Sequence, residues 1–363
     1  MIPPGGSGGI WLAGRRVRRV VVSRLRFLGD VILTTPVVRA LKRADPDVRI
    51  AYLVEKSYEG VLEGNPHVDV LWTVERQPGS ARAQVRQVLS LRRRMRRFRP
   101  DLTIDLLGIP KSALLLALSG APLRIGGPYR IRKHLYTHVV EHPSGRETAV
   151  EYHLRSLRPL GLERKWEAED LRTEVFLSQE ETAWGKAFLR DQLSNWQGPI
   201  VGLHPGATWP AKRWFPERFG KLAKRVASEL GARVVVTVGP GEQTLAQEVQ
   251  RRSGGAAHVL PVLPLRRLAA VLGAFSVYVT NDCGPLHLSV AVGTPTVGLF
   301  GPGEPDIWFP YGPEHVALHH PCALHPCHRD FCDNPVCWYA LDVEEVLNAV
   351  AERLARATVG NGV

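Results

Sequence analysis

Ser276-Val-Tyr-Val-Thr-Asn-Asp-Cys-Gly-Pro-Leu-His-Leu-Ser-Val-Ala-Val-Gly-Thr-Pro-Thr-Val-Gly-Leu-Phe300 decides the fold. Ser276 to Thr280 is a β-branched run that reads as a strand. Gly284 to Val292 opens on Gly-Pro and reads as a helix, and Thr296 to Phe300 reads as a second strand. A strand, a helix and a strand in one short stretch form a crossover unit, whose two strands run parallel.

The same grammar extends in both directions. Upstream, Gly198-Pro-Ile-Val-Gly-Leu-His204 starts afresh with Gly-Pro leading into an apolar strand. Helix 216–230, strand 233–238, helix 242–252 and helix 265–272 follow it. The first half repeats the pattern with strands at 19–23, 49–54, 68–72 and 102–106, a helix over 31–42 and an Arg-rich helix before residue 100. Residues 145–195 look mostly helical. Asp342 to Arg356 reads as an amphipathic helix with Asp342 near its cap. The expectation is α/β: two Rossmann-like, doubly wound parallel-sheet domains facing each other, with ligands at the carboxyl ends of the strands. Residues 1–16 are expected to form a flexible extension. Domains are expected at 17–195 and 196–340, with a final helix and tail at 341–363.

Composition narrows the function. The chain has 363 residues, 44% hydrophobic and 23% charged, which suits two globular domains. The Gly/Pro-rich start lacks the apolar core of a signal peptide. Apolar runs such as Ala113 to Leu118 are far too short to span a bilayer. A soluble protein is therefore expected, one free to work at a membrane surface. Residues 1–200 carry 33 Lys+Arg against 21 Asp+Glu, whereas residues 201–363 carry 14 against 14. The whole formal excess of +12 lies in the first half, including Leu91-Arg-Arg-Arg-Met-Arg-Arg-Phe-Arg99. Such a field suits phosphorylated glycolipid, a membrane surface or nucleic acid, and a plain solvated helix face explains the run equally well.

Four strand-end loops carry residues suited to chemistry. In Ser23-Arg-Leu-Arg-Phe-Leu-Gly-Asp30, two roles fit Asp30: a general base for an acceptor hydroxyl, or a helix cap. In His204-Pro-Gly-Ala-Thr-Trp-Pro-Ala-Lys-Arg-Trp-Phe-Pro216, Thr208 supplies a hydroxyl. Lys212 and Arg213 supply charge for a diphosphate. Trp209 and Trp214 suit ligand contact and core packing equally. Val238-Gly-Pro-Gly-Glu242 puts a carboxylate where nucleotide sites bind ribose, although it is not a dinucleotide fingerprint. Asn281-Asp-Cys-Gly-Pro-Leu-His287 is the most informative. Gly284 and Pro285 open a helix whose first N–H groups form an anion site, flanked by Asp282 and His287. His287 also suits a structural imidazole. Together these loops fit a transfer whose leaving group is a diphosphate, stabilised by Lys212, Arg213 and backbone amides. No DxD metal motif stands in them.

These residues resemble the lipopolysaccharide heptosyltransferases, a glycosyltransferase family with the GT-B fold. The resemblance runs from about Val17 to Trp338. It is carried by Leu28-Gly-Asp-Val-Ile-Leu-Thr34, His204-Pro-Gly-Ala207 with Lys212-Arg-Trp214, Asn281-Asp-Cys-Gly-Pro-Leu-His287 and Gly293-Thr-Pro-Thr-Val-Gly-Leu-Phe-Gly-Pro302. The resemblance implies that Asp30 is the catalytic base of an inverting, metal-independent transfer of heptose from ADP-heptose. It implies donor contacts from Thr208, Lys212, Arg213, Glu242, Asp282, Cys283, Gly284 and His287. It puts the acceptor, a phosphorylated Kdo-lipid A, on the basic first domain beside Arg24 and Arg26. It also implies work in the cytoplasm at the inner membrane surface, without nucleic acid. Cys283 departs from the family's usual Ser or Thr, and a thiol is the weaker donor. An epimerase or a transferase using another nucleotide sugar keeps the same fold.

Cys322, Cys327, Cys332 and Cys337 stand at even spacing with His325 and His328 interleaved. A structural zinc or iron–sulfur site and free thiols both fit. The even gaps are unlike paired CxxC ligands. A basic, non-enzymatic metal-cluster protein would explain these thiols and the arginines, but not the four loops.

Overall fold

The computed structural model describes residues 9–76, 79–141, 145–163, 165–310, 312–327 and 329–360. The chain divides into two compact units, Met1–Leu171 and Arg172–Val363.

The first unit holds strands β1 (Ile10–Leu12), β2 (Arg15–Val17), β3 (Arg19–Ser23), β4 (Arg49–Glu55), β5 (Val70–Val74), β6 (Leu102–Asp105), β7 (Leu123–Gly126) and β8 (His138–Val139). Strands β3 to β8 form one parallel sheet ordered β5-β4-β3-β6-β7-β8. Val20, Val21 and Val22 are fully buried, as are Ile50 to Val54, the continuous burial of central parallel strands. The second unit holds β9 (Ile200–His204), β10 (Arg233–Val236), β11 (Ala257–Val259), β12 (Val277–Asn281), β13 (Thr296–Phe300) and β14 (Val316–His319). Its parallel sheet is ordered β11-β10-β9-β12-β13-β14. Each sheet therefore starts in its middle, runs to one edge, and returns to build the other. The reversal falls between β3 and β6 in one sheet and between β9 and β12 in the other. A crevice opens at such a point beyond the strand ends. Two doubly wound α/β units are what the resemblance to a GT-B family implies.

Three differences from the sequence expectations have local causes. Residues 10–17 are an antiparallel hairpin rather than a loose extension, with Ile10 opposite Val17 and both buried. Its two-residue turn, Ala13 and Gly14, has positive φ at both positions, the geometry that matches strand twist. The helix expected over 31–42 is two pieces, Leu28–Ile32 and Thr35–Ala44. At the break Thr34 Oγ1 bonds the Val31 carbonyl and the Tyr52 hydroxyl. The unit boundary falls at Leu171/Arg172 rather than 195/196, because helix Gln179–Gln192 packs on helix Leu265–Leu272 of the second unit. Gly185 fits there with no room for a side chain: a Cβ would lie 2.3 Å from the Ala270 carbonyl oxygen. The terminal helix Val343–Gly360 is capped as expected, with Asp342 Oδ1 accepting from the Glu345 amide at 2.9 Å.

Candidate functional site

In the first unit, Asp30 sits on the short helix Leu28–Ile32 that follows β3. It is the third helical residue and not the N-cap, and Oδ2 reaches back to the Phe27 amide at 3.3 Å. Oδ1 accepts from Arg24 Nη2 in a short ion pair. Arg24 Nη1 donates to the Leu106 carbonyl at 2.6 Å, just past β6. Arg24 thus ties the two strand ends at the point of reversal and holds the carboxylate there. The Asp30 side chain keeps 18% of its surface open, so it is held and still reachable. Arg26 is half-buried and lies over the Phe27 ring.

Asp105, which the loop readings passed over, anchors this end of the sheet. Its carboxylate accepts from the Gly108 amide (2.9 Å), the Leu107 amide (3.1 Å), Ser112 Oγ (2.9 Å) and Tyr136 Oη (2.8 Å). Burial raises its pKa, opposed by those bonds. A cavity of about 30 Å³ lies beside it, lined by Leu106, Tyr129, Tyr152, His153 and Ser156 among others. That is room for a water or two. Burial, and then the Arg24 charge, hold the His153 imidazole well below its usual pKa, so it is neutral. The only sequence signal for Asp105 was a carboxylate ending a buried strand ahead of a glycine.

In the second unit, the loops after β9 and β12 are stitched together by Asn281. Its Nδ2 donates to the carbonyls of Pro205 (2.9 Å) and Gly206 (3.2 Å), and its Oδ1 accepts from the Trp214 amide at 3.0 Å. This clamp brings Lys212 to Asp282, Nζ to Oδ2 at 2.5 Å. Lys212 also lies over the face of Trp209, 4.9 Å from the ring centroid. The two tryptophans divide the roles left open for them: Trp209 is 45% exposed beside Lys212, while Trp214 is fully buried in the core. Arg213 is turned inward, with Nε and Nη2 both on the Ala207 carbonyl at 2.9 and 2.7 Å, and Thr208 is exposed.

Glu242 and Asp282 each stand against a glycine. A Cβ on Gly206 would meet Glu242 Oε1 at 2.2 Å, and one on Gly303 would meet Asp282 Oδ2 at 2.4 Å. Glu242 accepts from the Gly239 amide at 2.9 Å and lies 3.5 Å from His204 Nε2. Burial lowers the His204 pKa, partly offset by the Glu242 charge. Beyond Asp282, helix Gly284–Ala291 begins with Cys283 as its N-cap. Burial pushes the Cys283 thiol up to about 12, so it is neutral, and its sulfur lies 3.4 Å from Thr280 Oγ1. His287 is buried one turn into that helix. An ammonium, the Gly284 amide at a helix start and a carboxylate near a glycine loop are parts a nucleoside diphosphate needs.

The four clustered cysteines, all free, line one cavity of about 20 Å³ with His325 and Ala211. Among the described residues, no three His, Cys, Asp or Glu side chains form a group that could hold a metal ion, so of the two alternatives the zinc or iron–sulfur site gains no support. His328 lies outside the described residues. The segment instead braces the lysine loop: the Ala211 amide donates to the Asp330 carbonyl at 3.0 Å, and Trp338 Nε1 donates to the Ala211 carbonyl at 2.7 Å.

Comparison with known proteins identifies the family and the fold. The model of glycosyltransferase family 9 (heptosyltransferase) matches residues 88–336. Lipopolysaccharide heptosyltransferase 3 of Escherichia coli K12 is 28% identical over 300 residues, covering 79% of this chain and 83% of that protein. The family 9 glycosyl transferase structure from Veillonella parvula superposes with a TM-score of 0.81 at 23% identity, covering 96% of this chain and 100% of that one. The E. coli heptosyltransferase WaaC with ADP gives a TM-score of 0.72 at 20% identity, covering 92% and 99%.

Proposed function

The chain belongs to glycosyltransferase family 9, and from that premise we propose that it moves heptose from ADP-heptose onto the inner core of lipopolysaccharide, with inversion and without a metal. The observation that carries the reading is the Lys212–Asp282 pair beside the start of helix Gly284–Ala291. In this reading, Lys212 and the Gly284 amide at the start of that helix take the charge that builds on the diphosphate as the sugar C1–O bond breaks. Glu242 accepts from the ribose hydroxyls. Asp30 takes the proton from the acceptor hydroxyl, whose oxygen attacks C1 opposite the departing nucleotide. Arg24 keeps that carboxylate in place.

The acceptor side follows charge. Unit 1 carries 30 Lys+Arg against 17 Asp+Glu, and unit 2 carries 17 against 18. A phosphorylated Kdo-lipid A fits the first and not the second. Among the described residues no helix is long and apolar enough to cross a membrane. The proposed workplace is the cytoplasmic face of the inner membrane, where a phosphorylated glycolipid acceptor would be met.

The test is ADP release from ADP-heptose with and without Kdo-lipid A, for wild type and Asp30→Ala. Acceptor-dependent release that collapses in the variant supports both donor and base. Release that persists in the variant removes Asp30 as base. No release with any acceptor removes the donor assignment, and Cys283 is then the first residue to revisit.

A further inference from the structure

Helix Ala81–Phe98 contains no acidic residue and seven arginines: Arg82, Arg86, Arg92, Arg93, Arg94, Arg96 and Arg97. Its inner face is set by Leu91 and Met95, buried with Val88 and Phe98 against Trp72 and Leu115. At 100° per residue, Arg82, Arg86, Leu89, Arg93 and Arg97 fall in one stripe on the opposite side. All five are exposed, and none of the helix's arginines has an ion-pair or hydrogen-bond partner among the described residues. A solvated salt-bridged face would alternate signs at i and i+4, as Arg225 and Glu229 do in the second unit. This face does not.

Two open grooves run along it, about 400 and 550 Å³. Glu75 lines the first, and no carboxylate lines the second. Between the guanidinium groups stand Val85 and Leu89, 59% and 46% exposed. That pairing selects among anionic partners. Single-stranded nucleic acid would favour aromatic side chains for stacking, and the outward stripe has none; a duplex takes the arginines but offers Val85 and Leu89 no apolar phase. Headgroups of an anionic bilayer suit both parts: arginines meet phosphates, and isolated aliphatic side chains reach the acyl boundary.

We propose that the outward face of helix Ala81–Phe98 docks the protein onto an anionic phospholipid surface through Arg82, Arg86, Arg93 and Arg97 with Val85 and Leu89. The proposal rests on the reading that the acceptor is a membrane glycolipid, and it names the surface that brings the first unit to it.

The full-length protein is sedimented with vesicles of phosphatidylcholine alone or with one-quarter phosphatidylglycerol, at low and high salt. The R82Q/R86Q/R93Q/R97Q variant is run beside it, with R130Q/R132Q/K133Q as a control for general charge. Glutamine keeps helix propensity, and unchanged circular dichroism checks folding. The expected result is wild-type and control binding to phosphatidylglycerol vesicles only, abolished by salt, and a loss of roughly a thousand-fold in the helix variant. ADP release is then measured with acceptor in vesicles and with detergent-dispersed acceptor. The helix variant is expected to lose the first and keep the second. Equal losses in both variants would overturn the proposal in favour of diffuse charge. Wild-type binding to duplex DNA but not to vesicles would overturn it in favour of nucleic acid. Arginine-dependent vesicle binding by a protein with no transferase activity would leave the docking face standing and remove the acceptor reading.

Discussion

The two sheets share one strand order, and each gathers its chemistry where that order reverses, yet the two reversal points are built from opposite materials. In the first unit a carboxylate, Asp30, is held by a cation, Arg24. In the second a cation, Lys212, is held by a carboxylate, Asp282. In each unit the strand lying across the reversal ends in a buried polar residue that organises the loops. That residue is the ionisable Asp105 at the end of β6, and the neutral Asn281 at the end of β12. In the proposed function, the first arrangement supplies a base for a proton, and the second a positive charge and the Gly284 amide for a phosphate. A shared backbone plan thus sets position only, and the chemistry lies in which member of each ion pair faces the ligand.

The sharpest way to break this comparison is Asp30→Asn, which keeps shape and removes the base. Acceptor-dependent turnover is expected to fall about 10³-fold, with the dissociation constant for ADP unchanged by calorimetry. A parallel loss of ADP affinity would mean that Asp30 acts on the donor, and the division between units would fail. Lys212→Met tests the other side. The dissociation constant for ADP is expected to rise and kcat/KM for the donor to fall about 10²-fold, with Lys212→Arg recovering part of the loss. Thermal melting run alongside separates this from the cost of leaving Asp282 unpaired.

Much of this contrast could be read from the chain before any coordinates, and the part that could not has a common cause. Buried central strands announce themselves as β-branched runs, and Asp30, Lys212, Glu242 and Asp282 stand in loops whose turns are written locally by Gly and Pro. Strands β7, β8, β11 and β14, at or next to the sheet edges, escaped because they are short and lack a pattern of their own. Asn281 and Asp105 escaped for a different reason. Their roles depend on partners 75 and 76 residues away for Asn281, and up to 31 away for Asp105. Nothing in the local sequence names the partners of Asn281, or Tyr136 as a partner of Asp105. The same holds for Trp209 and Trp214, whose opposite fates follow from the Asn281 bond to the Trp214 amide.

Asn281→Asp sharpens the comparison by placing a carboxylate in the second unit where the first has one. A carboxylate cannot donate to the carbonyls of Pro205 and Gly206, so two bonds are lost and two buried acceptors face a negative charge. A stability loss of about 2 kcal/mol is expected by denaturant unfolding. Donor binding should weaken as the Lys212 loop loosens. An unchanged midpoint would show that Trp214 packing alone holds the loop.

The reverse exchange, Asp105→Asn, should cost least, because the surroundings of Asp105 can serve an amide. One oxygen still accepts from the Leu107 and Gly108 amides, while the amide nitrogen can donate to the hydroxyls of Ser112 and Tyr136. The loss should stay under about 1 kcal/mol. Its signature is pH dependence. Burial raises the folded pKa of Asp105 above the value of roughly 4 for an exposed aspartate. The folded state therefore holds this proton more tightly than the unfolded chain does. That contribution is full below the unfolded pKa and is lost as pH rises through the folded one. Relative to wild type, Asp105→Asn should gain stability across that window and run parallel above it. Unfolding midpoints that stay parallel throughout would mean that the four bonds to the carboxylate cancel its desolvation. Asp105 would then match Asn281 in being indifferent to protons.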